Sequence, residues 1–218
     1  GGDGGDVIDG GPGDDVIDGG PGDDVMLGGD GTDVAVFGGV QDDFTIAVAG
    51  DGTLTVTDKN TGTALGVDTV SGVETLRFTD GDLKVATGLN GDVTLTGTDD
   101  VDDVITIVGP GGAKLEGAGG KDTLTGGDGV DVLDGGSGDD HLIGGLGSDT
   151  FVASTGNDTI VVGGDTADAA QEDHLEIGTE FSLKDGSVNP DTGDLVINLE
   201  DQNGDASITV EGHTTDTL

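Results

Sequence analysis

GGDGGDVID from Gly1, GGPGDDVID from Gly10, GGPGDDVML from Gly19 and GGDGTDVAV from Gly28 open the chain as four consecutive nonapeptides. Within each unit Gly stands at the first, second and fourth places, Asp at the sixth and Val at the seventh. The eighth place holds Ile8, Ile17, Met26 and Ala35. Glycine at three of the first four places predicts a sharp turn, since Gly alone adopts positive φ without steric cost. The residues after the sixth place then form a short strand, whose eighth-place side chain faces inward while the seventh and ninth face outward. One repeat makes half a coil, and two make a full one. Stacked coils give two parallel sheets face to face, as fixed-period repeats predict.

The same period returns later. GAGGKDTLT from Gly117, GGDGVDVLD from Gly126, GGSGDDHLI from Gly135 and GGLGSDTFV from Gly144 fade into ASTGNDTIV from Ala153. A weaker unit, GTDDVDDVI from Gly97, keeps an Asp at the sixth place, Asp102 by that count. The stretch from Val108 puts Ala113 there, which predicts one lost metal-binding turn.

Between and after the blocks the chain changes to alternating Thr, Val, Leu and Ile. Phe44–Val48 and Thr53–Thr57 flank Gly50-Asp51-Gly52, a hairpin signal. Leu195–Leu199 and Ala206–Val210 repeat the pattern around Asn203-Gly204. The expected fold is all-β, two parallel β-rolls each followed by an antiparallel β cap. Residues 1–36 form the first roll and 37–89 its cap; 90–161 form the second roll with its weak leading repeats, and 162–218 the C-terminal cap.

Composition narrows the partners. The 218 residues carry 46 Asp and Glu against six Lys and Arg, a formal charge of −40. Such a chain repels itself and lacks the basic patches that nucleic acid or anionic membranes require. Cations are its natural partners. No Cys is present, which excludes disulfides and thiol chemistry, and no apolar run is long enough to insert in a membrane. The chain begins inside a repeat, so it reads as a piece of a longer protein.

One eighth-place side chain per nine ordered residues buries little apolar area, so the turns need another source of stability. Ca²⁺ binds six to eight oxygens. A sixth-place carboxylate and the unobstructed carbonyls of Gly-rich backbone supply that chemistry. Turns on one side of a roll lie two repeats apart, so an ion between them takes one Asp from each, and its binding free energy becomes folding free energy.

These nonapeptides resemble the RTX, or haemolysin-type calcium-binding, repeats of proteins exported by bacterial type I secretion, with the consensus GGxGxDxUx. Asp68–Phe78 with Asp80-Gly81, and Gly156–Ile160 with Asp173-His174-Leu175, are similar to the endings of such rolls. The resemblance names Asp6, Asp15, Asp24 and Asp33 as ligands in the first block, and Asp122, Asp131, Asp140, Asp149 and Asp158 in the second. It implies about five Ca²⁺, two in the first block and three in the second, with weaker binding at the ends marked by Ala35 and Ala118. It also implies a chain unfolded in the low-calcium cytoplasm that passes the type I secretion machinery and folds outside. The parent is then an extracellular or cell-surface protein of adhesin or surface-layer type. Alternatively the module serves the secretion of an enzyme, such as a protease, lipase or polysaccharide epimerase, or of a toxin.

Competing uses of the same residues explain less. Phosphate in the Gly-rich turns would meet carboxylates. His141, His174 and His213 are scattered and lack zinc-site spacing. Acidic pairs such as Asp14-Asp15, Asp23-Asp24 and Asp139-Asp140 follow from the period, a ligand beside a solvated neighbour, without catalysis. The outward row Val7, Val16, Val25 and Val34 reads equally as a contact surface or as packing against a neighbour.

Overall fold

The computed structural model describes residues 1–60, 65–88, 92–152, 154–161, 173–176, 182–188, 195–200 and 205–211. These residues form two sheets of twelve and nine strands. Apart from the 3₁₀ turn Gln41–Asp43 they contain no helix, and none long and apolar enough to cross a membrane.

Both repeat blocks build parallel β-rolls in which a strand pairs with the strand two repeats on. Val7–Pro12 lies along Val25–Asp30 with Ile8 opposite Met26, and Val16–Asp18 lies along Val34–Val36 in the facing sheet. In the second block Thr123–Gly127, His141–Gly145 and Asn157–Val161 form one wall. Ala113–Glu116, Val132–Asp134, Thr150–Val152 and His174–Glu176 form the other. The expected inward residues Ile17, Met26, Leu124, Leu133, Leu142, Phe151 and Ile160 are all buried.

The antiparallel segment after the first block joins the two rolls. Val67–Ser71 continues the parallel ladder from Val25–Asp30. It then pairs antiparallel with Leu54–Asp58, which pairs with Phe44–Val48 across the expected hairpin. Phe44–Val48 in turn lies parallel to Val104–Val108 of the second block, Ile46 opposite Ile107. In the other sheet Thr75–Arg77, Asp82–Thr87 and Val93–Thr96 make the same crossing. Both sheets therefore pass the proposed division near residues 87–91, and one hydrophobic core spans both blocks. At the junction Phe37, Phe44 and Phe78 cluster with ring centroids 5.3–5.6 Å apart, an aromatic filling in a core that elsewhere has Phe151 as its one buried aromatic among the described residues.

Ser182–Val188, Leu195–Glu200 and Asp205–Glu211 form the C-terminal antiparallel segment, attached in parallel to Asn157–Val161. The turn at Asn203-Gly204 lies outside the described residues.

Candidate metal centre: a ladder of turn carboxylates

The turn glycines have two different jobs. At most second and fourth places φ is positive, as at Gly127 (101°) and Gly138 (138°). First-place glycines lack that conformation and are small for another reason. A Cβ on Gly126 would lie 2.6 Å from Asp131 Oδ2 and 2.7 Å from the carbonyl oxygen of Gly144, and one on Gly10 would meet Asp15 Oδ2 and the Gly28 carbonyl at 2.8 and 2.7 Å. A carboxylate oxygen of the same turn thus lies beside each first-place glycine, and at Gly1, Gly10, Gly28, Gly117 and Gly126 a carbonyl oxygen from the next turn on that side converges with it.

Each sixth-place Asp with a turn two repeats before it is fixed by that neighbour. Its Oδ1 accepts the N–H of the sixth-place residue two repeats earlier, as in Asp6 to Asp24 (2.7 Å), Asp15 to Asp33 (2.8 Å), Asp122 to Asp140 (2.9 Å), Asp131 to Asp149 (3.0 Å) and Asp140 to Asp158 (3.1 Å). The seventh-place N–H donates back to the sixth-place carbonyl, as His141 does to Asp122 at 2.8 Å. The second carboxylate oxygen is the informative one. In Asp15, Asp24, Asp33, Asp122, Asp131 and Asp140 Oδ2 is buried with no hydrogen-bond partner.

Burying a carboxylate with one oxygen unmatched is costly. Burial pushes the Asp131 carboxyl up to about 7, helped by the charge of Asp149 and opposed by the Ala113 N–H. Burial likewise lifts Asp122 and Asp158 to about 6, with neighbouring Asp charges adding to it. Asp140 and Asp103 shift upward for the same first reason. A cation against Oδ2 would cancel both burial cost and repulsion. The converging donors are all oxygens, the set that suits a hard ion such as Ca²⁺ over zinc. Among the described residues no three His, Asp or Glu side chains converge on one point, so backbone carbonyls must complete any coordination shell.

The nine expected ligands all stand on these ladders. Asp6 and Asp158, at ladder ends, have Oδ2 occupied by the Gly2 N–H and the Ser154 hydroxyl, at 2.7 and 2.8 Å. Ala113 does occupy a sixth place without a carboxylate, its N–H donating to Asp131 at 2.7 Å. Ala35 does not end its roll: it is fully buried opposite Leu76, and the turns continue past it.

Four acids extend the ladders beyond the regular repeats. Asp24 donates its N–H to Asp68, and Asp33 to Glu74; Asp149 donates to Asp173, and Asp103 to Asp122. Asp68 and Glu74 belong to Gly66-Val67-Asp68 and Gly72-Val73-Glu74, turns with the fourth-place glycine at positive φ (85° and 63°) and Val70 and Leu76 buried at the eighth place. Their sixth places lie six residues apart, so a search for period nine passes over them. The unit at Gly97 is also shifted by one: Asp103, not Asp102, takes the sixth place, because an extra residue is absorbed where Asp100 adopts φ 63°.

Asp102 falls at the fifth place, where the expected solvated neighbours Asp14, Asp23 and Asp139 are exposed and also carry a hydrogen bond. Fifth-place carboxylates accept the fifth-place N–H two repeats on, as Asp14 does from Thr32, Asp23 from Val67, Asp102 from Lys121 and Asp139 from Asn157. The paired acids thus point in opposite directions along the roll. His141 is half-buried and His174 exposed, and His213 lies outside the described residues. Of the outward valines, Val7 is 76% and Val16 68% exposed, whereas Val25 and Val34 are half-buried.

Stacked nonapeptide turns, each fixed by a buried carboxylate and joined by short parallel strands, define a repeat β-roll. The chain carries RTX calcium-binding nonapeptide repeats, matching the model of that family in four copies at residues 1–35, 109–142, 116–151 and 143–166. The search of curated proteins gave no match. Among solved structures the chain is similar to the extracellular lipase LipA from Serratia marcescens, with 23% identity and a TM-score of 0.37. That alignment covers 99% of this chain and 37% of the lipase, so the chain spans little more than a third of that protein's length.

Proposed function

We propose that the chain is a calcium-dependent folding module of a larger protein exported by type I secretion, acting outside the cell or on its surface. The observation that carries the proposal is the row of buried, unpartnered Oδ2 atoms of Asp15, Asp24, Asp33, Asp122, Asp131 and Asp140, each beside a first-place glycine, with a turn carbonyl against that glycine at Gly10, Gly28, Gly117 and Gly126. Asp6, Asp15, Asp24 and Asp33 in the first block, with Asp122, Asp131, Asp140, Asp149 and Asp158 in the second, supply the side-chain oxygens. About five ions between turns two repeats apart follow from that pairing, and Asp68, Glu74 and Asp173 offer further positions along the same ladders.

Without the ion the turns bury charge that nothing balances, so the unfolded chain is favoured where calcium is scarce. With it, binding energy is folding energy. Extracellular modules bind Ca²⁺ at about 10⁻⁴–10⁻³ M, a range that suits a chain kept unfolded for export and folded once outside. Counting bound metal by native mass spectrometry tests the ligand assignment. Asp140 belongs to two pairs and Asp6 to one, so Asp140→Asn should lose about two ions and Asp6→Asn about one. Equal losses, or none, would remove the ladder assignment.

A further inference from the structure

The second ladder has no repeat to start it, because the turn before Asp103 is missing. In every rung that has a turn two repeats before it the sixth-place Asp receives an N–H on Oδ1, as Asp24 does from Asp6, and the seventh-place N–H finds a carbonyl, as Val25 does at Asp6. At Asp103 and Val104 both atoms are served by one side chain from the joining segment. Gln41 Nε2 donates to Asp103 Oδ1 at 2.7 Å, and the Val104 N–H donates to Gln41 Oε1 at 2.9 Å. This orientation of the amide is the one the partners demand, since a carboxylate needs a donor and an N–H an acceptor.

Gln41 is built into this position. It is 4% exposed and opens the 3₁₀ turn Gln41–Asp43. Its own N–H donates to Asp80 Oδ1 at 2.9 Å. A Cβ on Gly81 would come within 2.9 Å of its Nε2, so the Asp80-Gly81 turn both holds the residue and leaves room for its amide. Asp103 Oδ2 takes the Thr98 N–H at 2.7 Å, which leaves this end of the ladder satisfied by protein alone.

The geometry points to Gln41 as a surrogate rung: its carboxamide replaces the missing turn, positions Asp103 and makes the second roll's ladder start from the folded segment behind the first. The consequence, which rests on calcium-coupled folding, is that the second block acquires its turns on a template the first block has already set. Gln41 is a positioning residue and no part of the ion's coordination.

Hydrogen exchange followed by NMR on the calcium-loaded chain reads this directly. Gln41→Met keeps length and bulk but offers neither bond. The Val104 amide should then exchange about ten- to a hundred-fold faster, and the second block's calcium midpoint, followed at Leu142, should rise. The Val25 amide of the first block should not change. Gln41→Glu sets carboxylate against carboxylate and should do worse, while the pair Gln41→Glu with Asp103→Asn exchanges donor and acceptor and should recover protection. Unchanged Val104 protection in Gln41→Met, or no recovery in the exchanged pair, would overturn the inference; the pair decides it should Gln41→Met fail to fold. A wild-type chain fully folded without calcium would defeat the calcium reading instead, with the Val104 comparison still measurable.

Discussion

Ala118 shows how strongly the turn dictates its residues. It stands at a second place, where the full-consensus repeats have Gly, and takes φ 75°, a conformation that costs an L-residue about 1–2 kcal/mol. Gly also costs conformational entropy in the unfolded chain, which offsets part of the gain. Ala118→Gly should therefore stabilise the calcium-loaded protein by about 0.5–1 kcal/mol, read as a higher denaturation midpoint. The buried carboxyls make a second prediction at this scale. Asp131 at about 7, and Asp68, Asp122 and Asp158 at about 6, all lie above the ordinary 3.8. In the metal-free roll such groups hold more protons than in the unfolded chain, so their stabilisation is complete below about pH 4 and is lost as pH rises through about 6 to 7. Metal-stripped protein should gain β signal in circular dichroism on acidification from about pH 8 to pH 5. Calcium affinity should move the other way, since protons compete for the same oxygens.

At the scale of elements, each short strand exists because its turn is held. Strands such as Val16–Asp18 and Val132–Asp134 have three residues, and their inward contribution is a single side chain. Leu133→Ala should cost about 2–5 kcal/mol, enough to raise the calcium needed for folding, as a dichroism titration would show. The strands inside the repeats were legible because nine residues always return the same side chain to the core. Asp68 and Glu74 were not, because their turns shorten the period and only strand pairing reveals that Thr69 follows Val25 and Thr75 follows Val34. Asp103 was misplaced by one residue because an inserted residue leaves composition unchanged while moving the register. The bonds of the fifth-place acids are equally hidden, since exposure alone predicts solvent where the turn two repeats on supplies an N–H.

Across the whole molecule, the joining segment turns two blocks into one pair of sheets. Folding in such arrays spreads between neighbouring units, and strand pairing is continuous from Val7–Pro12 to the second block. Denaturant unfolding of the calcium-loaded protein should accordingly show coincident transitions at Met26 and Leu142, read by residue-resolved exchange, where independent rolls would separate. The charge of −40 acts at this scale too, yet five Ca²⁺ would lower it only to −30. Neutralisation must therefore be local. Sodium chloride at about 1 M screens charges beyond about 3 Å but supplies no ligand-matched cation to the turns, so it should not replace calcium. The plainest measurement is far-ultraviolet circular dichroism of the metal-stripped chain at neutral pH as free calcium is raised. The structure predicts an unordered spectrum in chelator and a cooperative rise of β signal with calcium; a full β spectrum in excess chelator would contradict it.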